Sequence, residues 1–422
     1  MKYNDLINEV KNNLDDKIIL CTSKAKLEGQ KKRYLRLLEK AYSKYGDQDY
    51  HIFSAPGRTE IGGNHTDHQL GCVLAASINM DMIAVVVADE NVVEFNSEGF
   101  NINDINVNEL DIKEDEYHTS ESIIRGTLSR FKQLGYNIGG FKCYSDSEVL
   151  KGSGVSSSAA FEVLIGTILS HLYNDNKVSS IEIAKIGQYA ENVYFNKPCG
   201  LMDQMACSVG GFVSIDFKDK ENPQVKQIDF DFESYNYDLV IVDTKGDHAH
   251  LSNEYGLMPN EMKLVANELG CNYLSETNIE SLLENVDKIR EIKNDRALLR
   301  SIHYFNETKR AVLQAEALRE NRFDTFKELV KASGNSSFKY LQNVSSPSDY
   351  KVQNIALALA LSEEILQNDG VCRVHGGGLE GTIQVLVLKS KTKEYCELLS
   401  KVYGDDSCHI LKIRPVGGYK IV

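Results

Sequence analysis

The sequence lacks an excess of positive charge. Its 422 residues include 47 Lys and Arg against 61 Asp and Glu, which gives a net charge of −14. Binding to a nucleic-acid backbone requires a basic surface, so a nucleic-acid partner is not expected. Hydrophobic residues make up 42% of the chain and charged residues 26%. These proportions exclude collagen-like, disordered and small disulfide-rich proteins.

The sequence also has no apolar run long enough for a membrane span. The nearest candidate, 71–88, contains Asn79 and Asp81. A span needs about 20 predominantly apolar residues, so this run predicts a buried strand instead. Residues 1–16 are charged and show no secretory signal. Nine scattered cysteines without a CxxC pair fit a reduced compartment. We therefore expect a cytoplasmic protein with no membrane partner.

The length and the apolar spacing give the organisation of the chain. At about 150 residues per domain, the length suggests two or three domains. Helical spacing of apolar residues predicts helices within 1–46, over 121–134, 156–172 and 181–194, and through most of 279–367. Valine-rich or alternating runs predict strands at 50–55, 82–88, 91–95, 141–145, 212–217, 239–242 and 382–388. A domain boundary is expected near 215–235.

Residues 55–68 (APGRTEIGGNHTDH) form the first candidate site. Pro56-Gly57 predicts a loop after the strand at 50–55. Its Arg, Glu, Asn, Asp and His side chains suit hydrogen bonding to a polyol ligand. A solvated surface loop is the alternative. His65, Asp67 and His68 are also possible zinc ligands, but no further cluster completes such a site.

Residues 151–160 (KGSGVSSSAA) lie between a predicted strand and a predicted helix. Glycines let consecutive backbone N–H groups converge on an anion, and the helix N-terminus adds partial positive charge. The serines provide helix caps and hydroxyls, one of which could face a hard metal. The segment has neither GxxxxGK[ST] nor GxGxxG spacing. A serine-rich helix cap is the alternative.

Two further segments carry candidate residues. Asp203, in 199–204 (CGLMDQ), is a candidate base or charge stabiliser, although a capping or salt-bridged Asp is the commoner explanation. Glu191 lies twelve residues earlier, where it could reach the same cavity. The HGGG of 373–382 suggests the oxyanion loop of a lipase. No GxSxG elbow follows it, which excludes that hydrolase class. A glycine-rich turn remains, either structural or lining a ligand.

These four segments, in this order, resemble the motifs of the galactokinases in the GHMP sugar-kinase superfamily. Residues 55–68 resemble the galactokinase signature, 152–160 the phosphate loop GxGLSSSAA, 198–204 the motif PCGIMDQ, and 376–381 the motif GGGFGG. The resemblance implies an α+β fold of two domains with the active site between them. After a helical extension, 1–46, it implies a ribosomal protein S5 domain 2-like domain, 47–225, and a ferredoxin-like domain, 226–422.

The resemblance also implies an activity and a set of roles. The activity is transfer of the γ-phosphoryl group of ATP to the anomeric C1 hydroxyl of a hexose. Asp203 would be the catalytic aspartate and Arg58 its cationic partner, while Ser158 and Glu191 would bind Mg²⁺. The residues that would wrap the phosphates are Gly152, Ser153, Gly154, Val155, Ser156, Ser157 and Ser158. Those that would hold the sugar are Asn64, His65, Asp67, Gly200 and Tyr255.

The first motif departs from the family pattern. Asn64 stands where the signature has Glu, and it offers one uncharged acceptor oxygen. His68 replaces the usual Tyr, and Thr59-Glu60 replaces Val-Asn. These changes affect the identity of the substrate more than the chemistry. The resemblance favours galactose, while the loss of a negative charge is compatible with galacturonate and a roomier site with N-acetylgalactosamine. A catalytically silent galactokinase-like sugar sensor is a further alternative. A mevalonate or homoserine kinase is disfavoured by the matches at 65–67 and 202–204.

Overall fold

The structure, a computed structural model, describes residues 1–98, 102–149, 154–246, 252–291, 294–346, 350–379 and 381–422. The helices are α1 (Tyr3–Asn12), α2 (Asp15–Cys21), α3 (Leu27–Tyr45), α4 (Ser120–Gln133), α5 (Ser157–Tyr173), α6 (Ser180–Tyr189), α7 (Met202–Val209), α8 (Ser252–Glu268), α9 (Ile279–Glu284), α10 (Val286–Arg290), α11 (Asp295–Arg319), α12 (Phe323–Ser336), α13 (Asn354–Leu366) and α14 (Lys389–Tyr403). The strands are β1 (His51–Gly62), β2 (Cys72–Asp89), β3 (Val92–Ser97), β4 (Ile105–Asn106), β5 (Gly140–Ser147), β6 (Phe212–Asp216), β7 (Gln224–Ile228), β8 (Tyr237–Asp243), β9 (Gly370–His375), β10 (Thr382–Leu388), β11 (Cys408–Leu411) and β12 (Tyr419–Lys420).

The first sheet has the strand order β12-β1-β2-β5-β3-β4, and β6 and β7 extend it from β2. The long strand β2 occupies the run predicted as a buried strand, which confirms that prediction. Its first part pairs with β6 and its second part with β5, while β1 follows both. Because side chains alternate along a strand, the two faces of the sheet have different partners. Phe53, Ala84 and Val86 face α4–α7, whereas Ile52, Ile83 and Val85 face α1–α3.

The second sheet has the order β11-β8-β10-β9, and all its pairs are antiparallel. One face packs on α13 and α14. The other face packs through Leu239, Ile241 and Leu386 into an apolar cluster that also holds Leu74 and Ile78 of β2. The two sheets therefore share one buried core, which fixes the cleft between them. Within the described residues, no helix is both long and apolar enough to cross a bilayer.

Most predicted elements are confirmed, with two differences that affect the site. The predicted loop at Pro56-Gly57 is wrong, because β1 runs through it to Gly62. A register shift between Pro56 and Arg58 absorbs the irregularity, since proline cannot donate a ladder hydrogen bond. The helix predicted over 181–194 ends as α6 at Tyr189 and continues as a π-helical turn, Ala190–Tyr194.

The domain limits can be compared with the sheets. The predicted limit between 225 and 226 falls within β7, a strand of the first sheet. The last strand, β12, also returns to this sheet and pairs with β1. Both ends of the chain therefore contribute to the first sheet.

Helices α1–α3 cover one face of the first sheet and contribute to a buried charge network. Asp81 of β2 is fully buried. Its carboxylate accepts hydrogen bonds from Arg33 Nη1 of α3 at 2.7 Å, from Gln30 Nε2 at 3.0 Å and from Ser54 Oγ at 2.6 Å. Arg414 Nη1 lies 3.6 Å from the same carboxylate. Burial opposes ionisation, but the two arginines outweigh it and hold the pKa of Asp81 below its usual value.

We expect Asp81→Asn to lower the free energy of unfolding by about 3–5 kcal/mol, because the fully buried Arg414 would lose its counter-ion and the partly buried Arg33 would lose one of its carboxylate partners. Urea denaturation of the full chain measures this loss. Glu397→Gln is the control, since Glu397 and Lys393 form an exposed pair with 62% and 91% of their side chains accessible. That variant should change the free energy of unfolding by less than about 0.5 kcal/mol. Equal effects of the two variants would contradict a stabilising network.

Candidate active site

Two adjoining cavities lie between the halves of the molecule. The larger has a volume of about 840 Å³ and the smaller about 340 Å³, and Tyr255 and Gly377 line both. The larger cavity is lined by Arg58, Glu60, His65, Asp67, His68, Cys199, Gly200 and Leu201, among others. The smaller is lined by Gly154, Ser156, Ser157, Ser158, Lys197, Asp203, His375, Gly378, Gly381 and Thr382, in addition to the shared pair. The two cavities thus bring together residues from all four motifs.

Arg58 and Asp203 form an ion pair where these cavities meet. Arg58 lies on β1 beside the register shift, and Asp203 is in the first turn of α7. Arg58 Nε and Nη2 each donate to one carboxylate oxygen at 2.7 Å, a bidentate arrangement. Arg58 Nη1 also donates to the carbonyl oxygen of Gly154. The side chain of Asp203 keeps 32% of its surface accessible, so a ligand can reach it.

The environment keeps Asp203 ionised. Burial alone would raise its pKa, but the charge and hydrogen bonds of Arg58 outweigh burial. Ser156 Oγ adds a hydrogen bond to the same carboxylate. The pKa of Asp203 therefore lies below its ordinary value, and the group is an anion near neutral pH.

The phosphate-loop candidate leads into the N-terminus of α5. Gly154 and Ser156 both have positive φ, 69° and 58°, which turns the chain just before the helix. The first N–H groups of a helix have no partner within it. Ser157 and Ser158, in the first turn of α5, line the smaller cavity, so that end of the helix is available to an anion. The predicted contacts of Gly152 and Ser153 lie outside the described residues.

Glu191 lines neither cavity and belongs to a buried cluster of oxygen-bearing side chains, which Lys197 connects to the smaller cavity. Gln204 Nε2 donates to Glu191 Oε2 at 3.0 Å and to Glu162 Oε2 at 2.9 Å. Lys197 Nζ lies 3.1 Å from Glu191 Oε1. Burial, followed by the charge of Glu191, raises the pKa of Glu162 well above its ordinary value. Glu162 Oε1 is buried and has no hydrogen-bond partner.

The predicted sugar contacts His65, Asp67, Gly200 and Tyr255 all line the larger cavity. Burial, then the charges of Asp203 and Glu60, raises the pKa of Asp67 to about 6. Gly200 lies against this carboxylate, since a Cβ there would come 2.1 Å from Asp67 Oδ2. Tyr255 Oη donates to the carbonyl oxygen of Gly378 at 3.1 Å. The described residues show no group of three metal-ligating side chains, including around His65 and His68.

Asn64 is placed differently from the other predicted sugar contacts. It is fully buried, and no atom of it reaches the larger cavity. Asn64 Nδ2 donates to Glu60 Oε1 at 3.0 Å and to the carbonyl oxygen of Gly376 at 2.7 Å. Its Oδ1 accepts from Asn343 Nδ2 at 2.9 Å and from Ser337 Oγ at 3.2 Å. The expectation that Asn64 faces the sugar therefore needs correcting: the amide joins the two halves of the molecule instead.

Sequence reasoning did not identify Glu60 and His375 as site residues. Glu60 lines the larger cavity, and a charged residue inside a buried segment was the available signal. His375 Nε2 accepts from the backbone N–H of Glu60 at 3.2 Å, and Nδ1 lies 3.0 Å from Thr382 Oγ1. Burial holds the pKa of His375 well below its ordinary value, so the ring is neutral. His375 thus fastens β1 to β9 beside the smaller cavity.

Comparisons with known proteins find similar sequences over most of the chain. The galactokinase galactose-binding signature matches residues 40–88, and the N-terminal domain of GHMP kinases matches residues 122–211. A galactokinase from Limosilactobacillus fermentum is 27% identical over 381 residues, covering 87% of this chain and 94% of the relative. One from Clostridium tetani is 28% identical over 374 residues, covering 87% and 92%.

Solved structures give the same fold. Lactococcus lactis galactokinase complexed with galactose has a TM-score of 0.76 and 23% identity, covering 90% of this chain and 98% of that one. Methanococcus jannaschii mevalonate kinase has a TM-score of 0.59 and 18% identity, covering 86% and 98%. These neighbours confirm the predicted two-domain α+β fold. With the matched signature, the matched N-terminal domain and the relatives that span most of its length, the chain is similar to the galactokinases among the GHMP kinases.

Proposed function

We propose that the protein is an ATP-dependent sugar 1-kinase with galactose as its acceptor. The observation that carries the proposal is the bidentate pair of Arg58 and Asp203. Arg58 lines the larger cavity and Asp203 the smaller one. A sugar in the first cavity and a triphosphate in the second would therefore meet at this pair.

The pair suits transfer of a phosphoryl group to a hydroxyl. An anomeric hydroxyl is a weak nucleophile, and an ionised carboxylate within hydrogen-bond reach can accept its proton. Asp203 meets the charge requirement, because Arg58 and Ser156 hold it in the anionic form. The guanidinium of Arg58 also places positive charge where the transferred group carries spread negative charge.

The phosphates of ATP would bind at the N-terminus of α5, wrapped by the segment 152–158. Ser158 and Glu191 would hold Mg²⁺, which neutralises phosphate charge when bound. Hydroxyl and carboxylate oxygens are the ligands that this ion prefers. The unpartnered Oε1 of Glu162, close to Glu191, adds a further hard oxygen to the same region. Lys197, bound to Glu191, brings positive charge to the smaller cavity.

The cavity chemistry favours a neutral sugar over a uronate. Four carboxylates line the larger cavity, Glu60, Asp67, Glu182 and Glu221, against the cations Arg58, Arg130, Lys185 and Lys220. Because Arg58 is already paired with Asp203, the lining has no excess of positive charge for an acidic substrate. Burial lowers the pKa of His65 to about 4 and that of His68 well below its ordinary value, so neither ring offers a compensating charge. Relatives such as the Lactococcus lactis enzyme, 28% identical over 87% of this chain, are named galactokinases, which favours galactose over N-acetylgalactosamine.

Asp203→Asn tests the catalytic role. We expect kcat for galactose phosphorylation to fall by about 10²–10⁴, because the amide cannot accept the hydroxyl proton. ADP release in the presence of Mg²⁺ measures turnover. The dissociation constant of galactose, measured by calorimetry, should stay within about threefold of the wild-type value. A variant that keeps more than a tenth of the wild-type kcat would contradict the assignment.

Asp67 should give sugar recognition an acid limb. Its pKa of about 6 means that protonation below that pH removes a hydrogen-bond acceptor from the cavity. We expect kcat/KM for galactose to fall below about pH 6, since this ratio reports ionisations of the free enzyme. Asp203 titrates below this range and does not contribute.

The matched variant for this pH profile is Asp67→Asn. It should have a lower kcat/KM that changes less between pH 5 and pH 7 than that of the wild type, since burial also raises the pKa of Glu60 in the same cavity. A wild-type profile that is flat down to pH 5, or an unchanged acid limb in the variant, would show that Asp67 is not responsible.

A further inference from the structure

We infer that Glu60 supplies the carboxylate that binds a hydroxyl of the acceptor sugar, and that Asn64 holds this carboxylate in place. In the family signature the acidic residue stands at position 64, so the two positions have exchanged roles in this chain. The inference deepens the proposed function and rests on it. It assigns sugar recognition to Glu60, a position of the first motif at which this chain departs from the family pattern.

The two oxygens of Glu60 have different surroundings. Oε1 accepts from Arg373 Nη2 at 2.6 Å and from Asn64 Nδ2 at 3.0 Å. Oε2 accepts no hydrogen bond from the residues that the structure describes, and it is not among the buried atoms without a partner. Because the side chain lines the larger cavity, Oε2 is the oxygen left for a ligand. A carboxylate fixed through one oxygen presents the other in a defined direction.

Asn64 cannot play the same part. Its amide nitrogen and its amide oxygen each take part in two hydrogen bonds inside the protein. Turning it towards the cavity would break these four bonds and leave buried groups of Asn343 and Ser337 without their partner. The geometry thus fixes Asn64 as a support.

The buried charges explain why the exchange is tolerated. Arg373 is fully buried and needs a nearby anion. Glu60 provides that anion directly, and its contact with Asn64 shows that positions 60 and 64 are adjacent in space. Moving the carboxylate from 64 to 60 therefore keeps one negative charge beside this arginine and on the cavity wall.

The test combines Glu60 variants with galactose and its 2-, 4- and 6-deoxy forms. Calorimetry of the full chain gives the dissociation constants, and steady-state kinetics gives kcat and both KM values. We expect Glu60→Gln to weaken galactose binding about tenfold or more, because a hydrogen bond to a charged acceptor is lost. The KM for ATP should stay within about twofold, because Glu60 does not line the smaller cavity. Glu60→Asp, which keeps the charge for Arg373 but shortens the side chain, should weaken binding in the same direction.

The deoxy sugars separate contact from stability. The deoxy form that lacks the bound hydroxyl should bind to the wild-type protein about tenfold more weakly than galactose does. To the Glu60→Gln variant, this deoxy form and galactose should bind with equal affinity. Glu116→Gln is the matched control. Glu116 also pairs with a buried arginine, Arg125, in its case through both carboxylate oxygens, but it does not line the cavity. This control should leave every sugar constant unchanged.

Three results would overturn the inference. One is a galactose dissociation constant within twofold of wild type in Glu60→Gln and Glu60→Asp. Another is a set of deoxy-sugar losses that is the same in wild type and Glu60→Gln. The third is a loss in Glu116→Gln as large as that in Glu60→Gln. Failure of the proposed function has a different result: the wild-type protein itself would neither bind galactose nor phosphorylate it.

Discussion

The conformation of the first motif, residues 55–68, depends on buried hydrogen bonds that reach it from the C-terminal half. Arg373 Nη1 donates to the carbonyl oxygen of Ile61 at 2.6 Å, and the backbone N–H of Gly63 donates to Glu307 Oε1 at 3.0 Å. His303 Nε2 lies 2.9 Å from the carbonyl oxygen of Asn64. In a low-dielectric interior such bonds are strong, and leaving any one unmade is costly. The first motif is therefore shaped by residues more than 200 positions away.

A second constraint is the sign of the molecule's charge. With a net charge of −14, the chain as a whole repels a nucleotide triphosphate. In the proposed function, the positive potential at the triphosphate is local and comes from Arg58, Lys197 and the N-terminus of α5. Asp203 also lies near two other acidic side chains, Asp67 and Glu60. The bidentate contact with Arg58 keeps Asp203 ionised despite them. Charge balance at the cavity junction thus decides which groups are ionised.

The sequence predicted much of the fold and most of the residues of the site. Strong periodicity located α4 and α5, and the valine-rich run located β2, because these segments bury apolar faces. It did not predict that β1 passes through Pro56-Gly57, because the pairing with β2 overrides the local preference for a turn. The sequence also did not predict that the side chain of Asn64 is buried, because its partners Ser337 and Asn343 belong to a distant segment. Long-range polar contacts of this kind leave no local pattern.

The return of β12 to the first sheet makes completion of that sheet depend on a segment more than 350 positions after β1. Tyr419 and Lys420 pair with β1, and Arg414 reaches the Asp81 network from the same C-terminal segment. A ribosome adds about 5–20 residues per second, so β1 and β2 wait many seconds for these partners. Until then Asp81 lacks one of its two arginines and the β1 edge of the sheet is unpaired. The N-terminal half therefore cannot reach its final structure during translation until residue 420 has left the ribosome. During this time the unpaired edge of β1 can associate with other chains.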